Sequence, residues 1–302
     1  MKDYEYQLFN DLDAMELTPF ELKLKKYNIK ANGEQCDKIE KFFASLTTAN
    51  LFYEFVSECL KVGIQENKID DIVALKTMSI DTSYKGLTLT DTSTYNATIS
   101  AGSLIPDSTI NESTTTTDIK KMARIINCTY EVVKSYKINQ ISLIYRIIGR
   151  KIGNGIYSQA ISVLKSAVSA TTSGSTSVTY DNLLTLYGSF NNNAKYIANA
   201  FMVSPTVFSQ ILKFDEMANC VKGVNNNCIT LPFGVNLISN PTQADDTIIA
   251  LDKNFALEFI TNDIEIENSL TSNRQLNSFT ISIPCAFKVI DTNAVKVMTI
   301  SA

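Results

Sequence analysis

The sequence predicts an α+β fold, and three observations carry that prediction. Residues 1–75 have the three-to-four-residue apolar spacing of helices, and from Lys76 the spacing changes to the alternation of strands. The segment from Asn139 to Ala167 returns to helical spacing over a length well above the average helix. Residues 231–300 again contain short alternating stretches separated by Asn, Asp and Ser turns. Helices and strands in separate runs are typical of the α+β class.

Length and charge set the first bounds on function. With 302 residues and 45% hydrophobic content, the chain is long enough for one large or two ordinary domains. A formal net charge of -4 argues against a dedicated nucleic-acid-binding protein. Nine basic residues against two acidic ones lie between Asp118 and Ala167. That excess fits either a solvated face or a local nucleic-acid patch, and we prefer the solvated face.

The chain contains no histidine, which restricts the available chemistry. Ser-His-Asp, Cys-His and HExxH sites are excluded, and neither a glycine-rich phosphate loop nor a dinucleotide motif occurs. Glu265 and Glu267 alternate along a predicted strand, so we interpret them as an exposed strand face rather than a catalytic pair. We therefore predict that the protein is not an enzyme and has no catalytic, cofactor-binding or metal-binding residues.

Cysteine spacing and the amino terminus suggest a reduced, intracellular product. No CxxC spacing occurs, and the closest pair, Cys220 and Cys228, has no further ligands nearby to complete a zinc site. The first residues, MKDYEYQLFNDLD, carry charges where a signal peptide needs an apolar run. No stretch of 18 apolar residues is present, so we expect no membrane span.

The first third of the chain predicts short helices followed by a ribbon. Thr18-Pro19 is a predicted helix start, and Gly33 and Gly63 are predicted helix stops. From Lys76 to Thr117 we predict a two-stranded ribbon, with one strand ending near Leu89 and the second over Tyr95 to Ala101. An isolated ribbon is marginally stable in water. We expect this one to rest against a surface of its own chain or of a neighbour.

The segment from Asn139 to Ala167 predicts one long amphipathic helix with Asn139 as its N-cap. Gly149, Gly153 and Gly155 each cost about 1 kcal/mol relative to alanine. Two structures remain open, a continuous helix, which we prefer, and two helices joined near Asn154. The apolar stripe of this helix comprises Ile141, Ile144, Ile148, Ile152, Ile156, Ala160, Leu164 and Ala167.

The remaining sequence alternates between the two types of element. TTSGSTSVT, residues 171–179, has the composition of a loop, and Tyr180 to Phe190 reads as a helix. Tyr196 to Val203 predicts a buried strand, and Ser204-Pro205 predicts the start of the next helix. Short strands are predicted at 247–251, 256–260, 264–267, 279–287 and 295–300.

This order of elements resembles that of the major capsid proteins of tailed bacteriophages, whose Hong Kong phage fold is shared with encapsulins. The resemblance covers about residues 50–300. The ribbon is similar to the family's E-loop, the strand and short helix over 119–136 lead into a segment similar to its spine helix, and YIANAFMVSPTVFSQIL and LPFGVNLIS are similar to pieces of its axial domain. Residues 1–50 have no counterpart, and TTSGSTSVT replaces the loop usual after the spine helix.

The resemblance implies a division into domains. It assigns an N-terminal arm to residues 1–75 and the E-loop β-ribbon to 76–117. It assigns the peripheral (P) domain to 118–175 and 252–290, and the axial (A) domain to 176–251 and 291–302. Some relatives cross-link an E-loop lysine to a neighbour, and Lys85 lies in the corresponding ribbon, although no acceptor can be placed.

The resemblance also implies a function. It suggests a major capsid protein that self-assembles as pentamers and hexamers into the icosahedral head shell of a tailed bacteriophage enclosing double-stranded DNA. The implied partners are other copies of itself, through the E-loop, arm and P domain, together with portal, scaffold and decoration proteins and packaged DNA bound non-specifically. The implied location is the virion, after assembly in the host cytoplasm. The alternatives are an encapsulin-like nanocompartment shell and a non-viral β-rich surface protein.

Overall fold

The helices of the computed structural model follow the predicted order. The model describes residues 19–31, 35–65, 69–79, 81–91, 99–105, 107–129, 132, 135–173, 177–191, 196–217, 228–271 and 276–300. In these residues the α-helices are α1 (Pro19–Lys26), α2 (Leu46–Gln65), α3 (Ile138–Ala167), α4 (Tyr180–Asn191) and α5 (Pro205–Ile211).

The strands lie before α3 and in the second half of the chain. The first six are β1 (Leu75–Met78), β2 (Ser83–Tyr84), β3 (Leu87–Asp91), β4 (Ser108–Glu112), β5 (Thr117–Asp118) and β6 (Lys120–Thr129). The others are β7 (Thr171–Thr172), β8 (Ala200–Val203), β9 (Cys228–Thr230), β10 (Asn236–Ser239), β11 (Thr247–Leu251), β12 (Leu257–Thr261), β13 (Glu265–Thr271), β14 (Leu276–Val289) and β15 (Val295–Thr299).

The central helix α3 is continuous over 30 residues, so of the two structures left open the unbroken helix is correct. Asn139 is not its N-cap, because the helix begins one residue earlier. The amide of Ile138 donates to the Asp37 carbonyl oxygen at 2.9 Å, and that of Asn139 donates to the Cys36 Sγ atom at 3.3 Å. A remote segment therefore satisfies donors that a capping side chain would otherwise meet.

The Asp37 side chain fixes that remote segment. Its Oδ2 atom accepts hydrogen bonds from the Lys30 amide at 2.7 Å and the Lys41 Nζ atom at 2.8 Å. Burial alone would raise the pKa of Asp37, but these two donors hold the pKa below its ordinary value. The carboxylate thus stays charged near neutral pH and keeps the segment in place beside the start of α3.

The buried face of α3 differs from the predicted stripe at one position. Ile141 and Ile156 are buried as predicted, but Ile144 is 51% exposed. Successive residues lie about 100° apart on a helix, so Ile144 cannot share the face of the buried Tyr145 next to it. Steps of three or four residues do not equal whole helical turns, so a residue chosen by such steps can lie at the edge of the apolar stripe. Ile144 is such a residue, and its predicted burial was wrong.

The chain divides into two compact units. The first comprises Met1–Asn67, Ala123–Gly153 and Ile264–Ser282. The second comprises Lys68–Met122, Asn154–Asp263 and Ile283–Ala302.

The core of the first unit is aromatic and centres on Phe52 of α2. Its ring lies 5.5 Å from that of Phe42, 5.5 Å from that of Phe279 on β14 and 6.5 Å from that of Tyr145 on α3, measured between centroids. These N-terminal aromatic residues thus pack on α3 and on a strand of their own unit.

Helices α2 and α3 touch through their backbones at two glycines. A Cβ atom on Gly63 would lie 2.9 Å from the Arg150 amide nitrogen and 3.0 Å from the Gly149 Cα atom. One on Gly149 would lie 3.0 Å from the Leu60 Cα atom, with the Leu60 carbonyl oxygen closer still. The prediction that Gly63 stops a helix was wrong. Gly63 lies inside α2, and a glycine is needed there because the crossing with α3 leaves no room for a side chain.

The second unit contains a six-stranded mixed sheet in the order β7-β15-β11-β8-β10-β9. All four residues of β8 are buried, as predicted for a strand that crosses the middle of a sheet. The Ser204 hydroxyl accepts from the Val207 amide at 3.2 Å, which confirms the predicted start of α5. Residues Thr171–Thr172, expected to lie in a loop, instead form the edge strand β7 parallel to β15.

A second sheet contains β14, the longest strand. In the second unit, β12 pairs antiparallel with β14 from Leu257↔Val289 to Thr261↔Cys285, and β1 pairs parallel with β12. In the first unit, β13 pairs antiparallel with β14 from Glu265↔Ser282 to Thr271↔Leu276. β6 also pairs with β14. β6, β12, β13 and β14 were predicted as strands, with boundaries that differ by a few residues, whereas β1 was predicted only as part of the first ribbon strand.

The ribbon exists, but its strands differ from those predicted. The predicted first strand is divided among β1, β2 and β3, and the strand that pairs with β3 is β4, in register from Leu87↔Glu112 to Asp91↔Ser108. In the predicted second strand, residues 95–98 lie outside the described part and 99–101 are not in a strand. Since β4 has solvent on both faces, its sequence STINE carries no alternation to detect.

The glycine crossing predicts opposite effects for one substitution at two sites of α3. Gly149→Ala should lower the free energy of unfolding by about 1–3 kcal/mol, because its methyl group meets backbone atoms that cannot rotate away. Gly155→Ala should raise it by up to about 1 kcal/mol, because the nearest atom to its Cβ is the Met122 Sδ atom at an ordinary 3.7 Å. Urea unfolding of both variants provides the measurement. Equal effects would contradict the close crossing.

Candidate assembly surface

One face of the ribbon is apolar and exposed. Leu89 on β3 and Ile110 on β4 are cross-strand partners, 59% and 69% exposed. Leu87 is also exposed and shares the face of Leu89, because alternate residues of a strand point the same way. We call Leu87, Leu89 and Ile110 the ribbon face. A contiguous exposed apolar face is characteristic of a surface that contacts another molecule.

The connection between β3 and β4 continues this character. In its described residues, Ile99, Leu104 and Ile105 are all exposed, and Leu104 is almost fully so. The pair β3 and β4 forms a two-stranded sheet of its own. In its described residues, the ribbon therefore presents aliphatic side chains to solvent both on its strands and in the connection between them.

A buried carboxylate contacts both β1 and β2, the two short strands that lead into the ribbon and that we call the root of the ribbon. Glu258 on β12 is 5% exposed and accepts hydrogen bonds from the Thr77 Oγ1 atom at 2.5 Å and the Tyr84 hydroxyl at 2.7 Å. Thr77 lies on β1 and Tyr84 on β2, so one side chain joins the two strands that lead into the ribbon. Burial and the hydrogen bond to Glu258 raise the pKa of Tyr84.

Lys288 lies beside this carboxylate, as the cross-strand partner of Glu258 on β14. Among the described residues its buried Nζ atom has no hydrogen-bond partner. Burial lowers the pKa of Lys288, while the charge of Glu258 acts in the opposite direction. A Cβ atom on Gly86 would lie 2.7 Å from this Nζ atom, so the backbone before β3 passes directly over the ammonium group.

These root residues were missed at the sequence level, although a signal was present. Glu258 is the single charged residue in the apolar strand LEFIT, and a charge in a buried strand requires a partner. Lys85, the lysine singled out in the ribbon, is exposed and lies 3.6 Å from Glu112. Glu265 and Glu267 are exposed on β13, which confirms the strand-face interpretation.

The described residues contain few features that suggest a reactive site. No three or more Cys, Asp or Glu side chains among them could together hold a metal ion. Four cysteines, Cys36, Cys59, Cys228 and Cys285, form no disulfide bond. Burial raises the pKa of Cys59 to about 12 and that of Cys285 to about 11. None of the helices in this part of the chain is long and apolar enough to cross a membrane.

Solved structures with a similar fold include two capsids and an encapsulin complex. The capsid of a native GTA particle matches with a TM-score of 0.60 and 14% identity, over 78% of this chain and 91% of that one. The SrpI encapsulin of Synechococcus elongatus matches with a TM-score of 0.58 and 13% identity, over 77% and 86%. The capsid of cyanophage P-SCSP1u matches with a TM-score of 0.52 and 11% identity, over 77% and 87%.

These likenesses establish the fold. The chain has the major capsid fold of tailed phages, the Hong Kong phage fold, as its order of elements predicted. No protein-family model matches the sequence, and no curated protein matches it. The fold is thus recognisable in the structure at sequence identities too low for family assignment.

The root of the ribbon predicts a specific loss on removal of one hydroxyl group. Tyr84→Phe should lower the free energy of unfolding by about 1–3 kcal/mol, because it takes a donor from a buried carboxylate. Tyr27→Phe, at an exposed tyrosine, should change it by less than about 0.5 kcal/mol. Urea unfolding, with hydrogen exchange of residues 83–91, measures both effects. A Tyr84→Phe variant as stable as the parent would show that Glu258 does not hold the root.

Proposed function

We propose that many copies of this chain assemble into a closed protein shell. The observation that carries the proposal is the ribbon face, a row of aliphatic side chains exposed in the single subunit. The fold supports it, since the GTA, encapsulin and cyanophage proteins with the same fold are described as particles, complexes and capsids. Buried against another copy, the ribbon face would gain the stabilisation that it lacks in water.

We further propose that the shell is the icosahedral head of a tailed bacteriophage, built from pentamers and hexamers around double-stranded DNA. Portal, scaffold and decoration proteins would be its partners, the host cytoplasm its place of assembly and the virion its final location. The role is structural and not enzymatic, which fits a chain without histidine. Likeness to phage and GTA capsids supports this choice among the shells.

The proposed division into domains follows the capsid fold. Residues 1–75 form the arm and 76–117 the E-loop, which contains the ribbon face. Residues 118–175 and 252–290 form the peripheral domain. The axial domain comprises 176–251 and 291–302, and every strand of the six-stranded sheet except β7 falls in these last two ranges.

An encapsulin-type compartment is the second candidate function. The observation that favours it is the TM-score of 0.58 to the SrpI encapsulin, close to the 0.60 for the GTA capsid. The content of purified particles separates the candidates. Nuclease-protected double-stranded DNA supports the phage head, and enclosed protein without nucleic acid supports the compartment.

The ribbon face predicts a variant that folds but does not assemble. Leu89→Asp should leave the subunit folded, because residue 89 is exposed, and should abolish closed shells, because it buries a charge in the contact. Thr88→Asp, on the opposite face of the same strand, is the matched control and should still assemble. Sedimentation and negative-stain microscopy, with any scaffold protein co-expressed, provide the measurement.

Two results would contradict this function. A parent chain that sediments only as a 33.4 kDa monomer would rule out the shell. Normal shells of the Leu89→Asp variant would show that the ribbon face is not an intersubunit contact.

A further inference from the structure

A second exposed apolar surface lies in the first unit, near the start of α3. Leu143, Ile144 and Ile147 are exposed there, and Ile147 lies four residues after Leu143 and three after Ile144, so the three share one side of the helix. We call these three residues the α3 surface. Ile144 also lines a groove of about 330 Å³ whose other walls include Ile126, Val132 and Tyr136. Among the described residues nothing fills this groove.

The charged residues of α3 itself have one sign. Helix α3 has no acidic residue along its 30 positions, and its charged residues are all Lys or Arg. Arg150 and Lys151, both exposed, follow Ile147 by three and four positions and so lie at the end of the α3 surface. An occupant with an apolar stripe and acidic residues would complement this arrangement.

Residues 1–18, which lie outside the described part, have that composition. MKDYEYQLFNDLDAMELT contains five acidic residues and one lysine. Tyr4, Leu8, Leu12 and Met15 recur at steps of four, four and three, the spacing of one apolar helix face. Amphipathic segments of this kind bind apolar grooves through side chains at such positions.

The segment is long enough to reach the groove of its own chain. It ends next to Pro19, where α1 begins. Three successive ring contacts, each of at most 6.5 Å, connect Phe20 through Phe55 and Phe52 to Tyr145, which lines the groove, so Phe20 lies within roughly 20 Å of it. Eighteen residues span about 27 Å as a helix and about 60 Å when extended. Covalent attachment also gives the segment a millimolar-range effective concentration at this site.

We propose that residues 1–18 bind the α3 surface and its groove within the same chain. Tyr4, Leu8 and Leu12 cover Leu143, Ile144 and Ile147, and the acidic residues lie near Arg150 and Lys151. The segment thereby shields an apolar surface of the free subunit. This binding is a property of one subunit and does not depend on the proposed shell.

A single introduced tryptophan tests the proposal, because the chain has none of its own. Leu8→Trp, with Leu12→Trp as a second reporter, places the only indole in the segment. In dilute solution, where sedimentation shows single subunits, we expect short-wavelength emission and protection from acrylamide, both independent of protein concentration. Adding Ile144→Asp should abolish both. Adding Ile110→Asp, the same change at an exposed isoleucine on the ribbon, should leave them unchanged.

Three results would overturn the proposal. They are solvent-like emission from both reporters, short-wavelength emission that survives Ile144→Asp, and protection that rises with protein concentration, which would mean binding to another copy. Thermal unfolding of the Ile144→Asp variant verifies that its fold is retained. Because every reading is taken on single subunits, a failure here is distinct from a failure to form shells.

Discussion

The backbone contact between Gly63 and Gly149 is the constraint on which the first unit depends. Because neither helix carries a side chain there, α2 and α3 approach more closely than packed side chains permit. That approach accompanies the contact of Phe52 with Tyr145 and with Phe279 of β14. A helix, a strand and the N-terminal residues thus share one core. The backbone contact between the two glycines sets the geometry of that core. Two residues that lower helix propensity locally are therefore required by the tertiary structure.

The root of the ribbon also depends on a single local feature, which here is the buried carboxylate of Glu258. Taking Glu258 out of water is costly, and the hydroxyl groups of Thr77 and Tyr84 with the nearby charge of Lys288 offset the cost. A buried carboxylate with partners on two strands gives little net stability compared with an apolar residue. It fixes which strands meet, because another pairing would leave the charge without its donors.

Several elements were predictable from sequence because burial imposes a pattern. β11 matches its predicted bounds, and α3 was found because its apolar residues face a core over 30 positions. The pairing of β3 with β4 was not predictable, since a strand exposed on both faces has no reason to alternate. The start of α3 and the role of Gly63 were missed for another reason. Both depend on Asp37, Cys36 or Gly149, residues distant in sequence that local patterns do not reveal.

The separateness of the ribbon has a thermodynamic consequence. Among the strands that the structure describes, β3 and β4 pair only with each other, so their five register pairs are not reinforced by a larger sheet. Fixing each residue of such an element costs about 1–2 kcal/mol of conformational entropy. Under the proposed function, a contact that covers the ribbon face must offset part of that ordering cost in addition to excluding water. Its affinity would then be weaker than its apolar area suggests, which would favour reversible association and let misplaced subunits detach.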